Sequence, residues 1–128
     1  MLKLASTSGS VSKIEPFVKN LVRRYNLSPD RQCDILVSLT EAVTNAIVHG
    51  NCREESKTVQ VNMRREKGVI ALRVSDEGLG FDYENLPDPT APENICCCGG
   101  RGVFLMRQLA DNIRFFNNGS TVEMRFKL

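Results

Sequence analysis

Apolar residues change their spacing from a helical to a strand period near residue 50, and that change limits the possible folds more than any other feature. Ile14, Phe17, Val18, Leu21, Val22 and Tyr25 recur at the three-and-four spacing of an amphipathic helix. Ser12 and Glu15 have the spacing of a capping box, and Pro16 falls in the early turns where it does least damage. Ser28-Pro29-Asp30 supplies an N-cap, a proline for the first turn and an early acid, so a second helix is predicted from about Pro29 to Val48, ending near Gly50-Asn51. After that the period falls to two. Val59, Val61 and Met63 alternate, then Ile70, Leu72 and Val74, with Lys67-Gly68 as the turn between two strands.

Residues 2–7 suit a short edge strand. A glycine-punctuated loop from Gly78 to Gly100 holds three of the five prolines, and its length points to function. A short helix is predicted from about Gly102 to Ala110. Strands near 112–116 and 120–127 then flank Asn117-Asn118-Gly119, a hairpin signal. Strand, two helices, two strands, loop, helix and two strands make an α+β two-layer sandwich, with a mostly antiparallel sheet and helices on one face. A length of 128 residues fits one domain, 1–128.

Composition excludes several classes of function. Seventeen Lys and Arg against fifteen Asp and Glu leave +2, with the basic residues spread along the chain and no tryptophan. Direct nucleic-acid binding is therefore not expected. No apolar stretch approaches the roughly 18 residues that span a bilayer, nor does the N-terminus carry a signal-type apolar run. Cys33, Cys52, Cys96, Cys97 and Cys98 are odd in number and three are adjacent, which suits thiols in a reducing cytoplasm.

Three segments carry candidate chemistry. In Glu41-Ala-Val-Thr-Asn45-Ala-Ile-Val-His49-Gly50-Asn51, steps of four put Glu41, Asn45 and His49 on one helical stripe, opposite Leu36, Val43 and Ile47. A solvated face would read the same way, but it would normally pair its acids with lysine or arginine. None lies between Arg31 and Arg53, which leaves Asp34 and Glu41 without a local cation. The helix is also built from weak formers. A carboxylate and an amide oxygen without a cation suit Mg²⁺, which keeps several waters and binds phosphates as well.

The second segment, Asp76-Glu-Gly78-Leu-Gly80-Phe81, follows an apolar strand. It reads either as a tight strand-ending turn or as a backbone that lets a ligand approach, with Asp76 accepting from an exocyclic amine such as adenine's. The third, Gly99-Gly100-Arg101-Gly102, opens a helix, and is either a cap or a phosphate site with Arg101 as a bidentate donor.

Taken in this order, the segments resemble the N-box and the two glycine boxes of the GHKL ATPase superfamily (the Bergerat fold). The length and the wording of residues 41–50 are most similar to its anti-sigma regulatory serine/threonine kinases. The resemblance implies an ATP-binding sandwich. It implies Glu41 as general base, Asn45 as Mg²⁺ ligand and Asp76 as partner of the adenine amine. Gly78 and Gly80 would line the base pocket, Gly100, Arg101 and Gly102 would cover the phosphates, and Thr121 would assist adenine recognition. The implied reaction moves the γ-phosphoryl group of ATP to a hydroxyl of an anti-anti-sigma (STAS) protein, with a sigma factor as the other partner and homodimers common. A module that holds ATP and sequesters a sigma factor without significant transfer is the alternative, and a histidine-kinase catalytic domain is a third reading. The triple cysteine departs from the polar lid of relatives.

Overall fold

In a computed structural model, residues 2–78 and 100–128 are described. Strand β1 (Leu2–Ala5) leads through a 3₁₀ segment (Ser8–Lys13) into helices α1 (Ile14–Tyr25) and α2 (Pro29–Asn45). Strands β2 (Thr58–Glu66) and β3 (Val69–Ser75) follow, then α3 (Gly100–Leu109), β4 (Asn112–Phe116) and β5 (Thr121–Lys127). The sheet order is β1-β2-β3-β5-β4, and every neighbouring pair is antiparallel.

The helices begin and end where side chains satisfy their free backbone groups. Ser28 Oγ accepts from the Arg31 amide at 3.2 Å, with Pro29 in the first turn. Ser28→Ala is expected to cost about 1 kcal/mol of stability in a urea titration. Asn26, at φ 52°, ends α1 in the left-handed conformation that asparagine tolerates. The Ser12–Glu15 capping box does not form: Ser12 lies inside the 3₁₀ segment and its hydroxyl donates to the Gly9 carbonyl at 2.8 Å. The second helix also differs from the sequence reading in its last turn. Regular α-helix stops at Asn45, and Ala46–Gly50 continue as one wider π turn, closed by Asn51 N–H donating to the Ala46 carbonyl at 2.8 Å.

Hairpin turns fall where left-handed residues were read. Gly68 has φ 73°, and Asn117, Asn118 and Gly119 all have positive φ. Alternation along the strands then divides the sheet into two faces. Val59, Val61, Ile70, Leu72, Val74, Val122, Met124 and Phe126 join one core with Ile14, Val18 and Leu21 of α1, Ile35, Leu39 and Val43 of α2, and Met106 of α3. The helices therefore cover one face, as expected for the two-layer α+β sandwich. Leu36, expected on the core side of α2, is only partly buried; Ile35 and Leu39 take that place.

The other face carries a charged ladder. Glu123, 3% exposed, lies between Arg73 (2.6 Å) and Arg125 (3.3 Å), and Arg125 also pairs with Glu66. Arg73 stacks on the Phe116 ring at 4.6 Å. Burial would raise the Glu123 pKa, but the hydrogen bonds and charges of the two arginines outweigh it and hold the carboxyl below its ordinary value. A depressed carboxyl stabilises the fold above its unfolded-state pKa, and that contribution is lost as pH falls through the folded-state value. Glu123→Gln should cost about 1–3 kcal/mol at pH 7. The gap from wild type should close in acid, which thermal melts across pH would read. Among the described residues no helix is long and apolar enough to cross a membrane.

Candidate functional site

The candidate site forms where the π turn after α2 meets the end of β3. In a π turn the chain gains a residue per hydrogen-bonded loop and its backbone widens, a feature frequent at functional sites. Here the widened turn carries Gly50 under the residues that leave β3. The Asp76 carboxylate lies directly over Gly50, so that a Cβ on Gly50 would overlap it. A Cβ on Gly78 would overlap the Gly50 carbonyl oxygen. Gly78 needs glycine because the Gly50 backbone touches it, and Gly50 because the Asp76 carboxylate fills the space its side chain would take.

Asp76 is held on several sides. Its N–H donates to the Ser120 carbonyl at 2.9 Å, and its Oδ1 accepts from the Gly78 amide at 2.8 Å. The carboxylate is half-buried, and burial raises its pKa against the opposing effects of the Gly78 N–H and the Lys57 charge. A carboxylate partly removed from water and engaged through one oxygen keeps acceptor capacity for a polar ligand group. Thr121 opens β5 beside it, buried, its hydroxyl donating to Ser75 Oγ at 3.0 Å. Asp76 and Gly78 are thus gathered with Thr121, distant from both in sequence, at the adjoining ends of β3 and β5.

Glu41 and Asn45 lie one turn apart on α2, both half-buried, whereas His49 is exposed. That stripe is not a freely solvated face. Among the described residues no cation pairs with Glu41. The same expectation fails for Asp34, because Arg31, one turn earlier, reaches its carboxylate at 3.4 Å and Asp111 at 3.3 Å. Gly100, Arg101 and Gly102 form the first turn of α3, and α3 packs along α2. Gly80 and Cys96–Cys98 lie outside the described residues, while Cys33 and Cys52 are exposed thiols.

One residue at the site was not singled out from sequence. Asn51 is fully buried and joins four segments, which its place behind Gly50 at a helix end does not announce. An asparagine within the motif, where a glycine had already provided the helix stop, was the available signal.

The donor set fits an adenine nucleotide: a carboxylate and a hydroxyl beside a glycine cradle, then the amide and acid of α2, then a helix N-terminus whose N–H groups favour phosphate. Among the described residues there is no cluster of three or more His, Cys, Asp or Glu able to hold a metal. A Mg²⁺ ion that keeps its waters and takes most of its ligands from phosphate needs no such cluster.

Sheet order, helix layer and site together define an ATPase sandwich of the GHKL kind. Comparison with known proteins agrees: this chain belongs to the family described as "Histidine kinase-like ATPase domain", which it matches over residues 4–126. It is 30% identical to the "Anti-sigma F factor" of Geobacillus stearothermophilus, over 97% of this chain and 88% of that protein. It is 29% identical to the "Serine-protein kinase RsbW" of Listeria innocua, over 84% and 73% respectively. Among solved structures it is similar to the histidine kinase domain of the blue-light activated histidine kinase from Erythrobacter litoralis. The TM-score there is 0.53 at 23% identity, over 77% of this chain and 45% of that one, which is a likeness of fold.

Proposed function

We propose that this chain is an ATP-dependent serine/threonine protein kinase that acts as an anti-sigma factor and phosphorylates an anti-anti-sigma (STAS) protein in the cytoplasm. The observation that carries this reading is the Asp76 carboxylate over the Gly50–Gly78 contact, at the foot of the helix that bears Glu41 and Asn45. The names of the relatives, a serine-protein kinase and an anti-sigma factor, support the finer part.

In this reading Asp76 accepts from the adenine amine through the oxygen that Gly78 does not occupy. Thr121 lines the same corner, and Gly78 with Gly80 lets the base approach the backbone. Asn45 is the protein's ligand to Mg²⁺. Bound Mg²⁺ supplies charge neutralisation at the phosphates and orients them. The N–H groups of Gly100, Arg101 and Gly102 at the start of α3 turn toward the phosphates, and Arg101 adds a charged donor. Glu41 accepts the proton of the attacking serine or threonine hydroxyl as its oxygen bonds to the γ-phosphorus and the bond to the leaving ADP oxygen breaks. Positioning and charge carry most of the rate, because the transfer needs little covalent help.

The sigma factor is the second partner, and a homodimer belongs to the reading, with β1 at the sheet edge available for it. One relative is named only as an anti-sigma factor, which favours a second reading: ATP-dependent sequestration of a sigma factor without significant transfer. Incubation with γ-labelled ATP, Mg²⁺ and a STAS protein tests the first. Label should move to a serine or threonine of the partner. Nucleotide uptake without transfer would leave the second reading. Absence of nucleotide uptake by folded protein, in calorimetry at millimolar Mg·ATP, would remove both.

A further inference from the structure

Asp76 is the carboxylate that the proposed function sets against the base, so whatever fixes its peptide planes fixes the direction of its carboxylate. On its N-terminal side the Asp76 amide is tied to Ser120 O at 2.9 Å. On its C-terminal side the Glu77 amide donates to Asn51 Oδ1 at 2.7 Å. The Asn51 amide nitrogen donates to Ser6 Oγ at 2.9 Å and to the Thr58 carbonyl at 3.0 Å, so both its donors and its acceptor are engaged. Ser6 in turn donates to Lys57 O at 2.8 Å, and Glu77 Oε2 accepts from the Thr58 amide at 2.6 Å. The backbone of Asn51 closes the π turn that carries Gly50. One fully buried amide therefore locks together the ends of β1 and α2, the start of β2 and the turn after β3.

We propose that Asn51 is a positioning residue: through the Glu77 amide it holds the Asp76 carboxylate over Gly50 and so sets selectivity for purines bearing an exocyclic amine over those bearing an oxygen at that position. This rests on the reading of Asp76 as the partner of the adenine amine. The selectivity arises because a carboxylate accepts from an amine but meets a carbonyl oxygen acceptor to acceptor. Its strength depends on aim, since a hydrogen bond weakens steeply as its angle closes. Removing the Asn51 side chain takes away the acceptor of the Glu77 amide, so the Asp76–Glu77 peptide can tilt and the carboxylate is aimed less closely.

The test is calorimetric binding of Mg·ATP and Mg·ITP, which differ at that one group, to wild type and to Asn51→Ala, Asn51→Asp and Asp76→Asn. Wild type should prefer ATP by at least about tenfold, and Asn51→Ala should reduce that preference to about twofold or less. Asn51→Asp keeps an acceptor for Glu77 but turns an oxygen on the Thr58 carbonyl, so its ratio should fall between those of wild type and Asn51→Ala. A merely structural role for Asn51 would weaken both nucleotides together and leave their ratio unchanged, which overturns the inference. If Asn51→Ala does not fold, hydrogen exchange on wild type decides: the Glu77 amide must be protected without nucleotide, and rapid exchange overturns the inference. A wild-type ratio near one, or one that Asp76→Asn does not alter, would instead overturn the adenine reading of Asp76 itself.

Discussion

Glu41→Gln should bind Mg·ATP as wild type does and transfer phosphate to a protein hydroxyl about 10²–10⁴-fold more slowly. Glutamine matches glutamate in shape and in helix propensity, so α2 keeps its length and packing. Glu41 is half-buried and pairs with no cation among the described residues, so no ion pair is broken there and no buried partner is orphaned. What disappears is the capacity to take a proton. Single-turnover transfer of labelled phosphate, read beside calorimetric ATP affinity, separates the two effects. An unchanged transfer rate would rule Glu41 out as the base. Equal losses of binding and transfer would make it a nucleotide contact instead.

Asp76→Asn should produce the other large change, with opposite signs for binding and stability. Asparagine keeps an Oδ1 for the Gly78 N–H, which leaves its NH₂ group where the second carboxylate oxygen stood. A donor then faces the adenine amine, and ATP affinity should fall about 10–100-fold, the loss of a hydrogen bond to a charged group. Stability without nucleotide should rise. Burial raises the Asp76 pKa, so the folded chain holds this proton more tightly than the unfolded chain. Stability contributed by the protonated group is therefore fully present below the unfolded-state pKa and is lost as pH rises through the folded value. At neutral pH the charged, half-buried carboxylate is a cost that asparagine removes. Thermal melts should place the variant above wild type at pH 7, with the difference vanishing in acid. A variant less stable than wild type at pH 7 would show that Asp76 serves the fold more than the ligand.

The two effects belong together. A carboxylate partly desolvated before its ligand arrives is already aimed, and the cost of aiming it appears as reduced stability of the empty protein. The glycine contact beneath it serves the same end. Gly50 and Gly78 bring two backbones within touching distance, which leaves Asp76 little room to turn away.

Much of the architecture was legible because it is local. Period-two alternation at Val59–Met63 and Ile70–Val74, the Ser28-Pro29 helix start and the left-handed turns at Gly68 and Asn117–Gly119 all depend on neighbours within a few residues. The reading failed where a local signal had a competitor. Ser12 had the right spacing for a capping box, but a 3₁₀ turn engaged its hydroxyl first. Asp34 has its cation at Arg31, one turn before it and at the boundary of the stretch that lacks basic residues. The π turn left no mark in the apolar pattern, since one extra residue at a helix end does not disturb the stripe preceding it.

By itself the sequence determined the order of helices and strands, the faces they bury, and the presence of an acid, an amide and two glycine-rich turns in a fixed succession. Periodicity and turn chemistry act over one or two turns of chain, so they can be read without a partner. Only the tertiary structure decided that Gly50 lies beneath Asp76, that Asn51 reaches a peptide 26 residues away, and that Glu123 is clasped by Arg73 across 50. Those contacts depend on strand register and on where a widened helix end comes to rest, and both are set by the packing of the whole core.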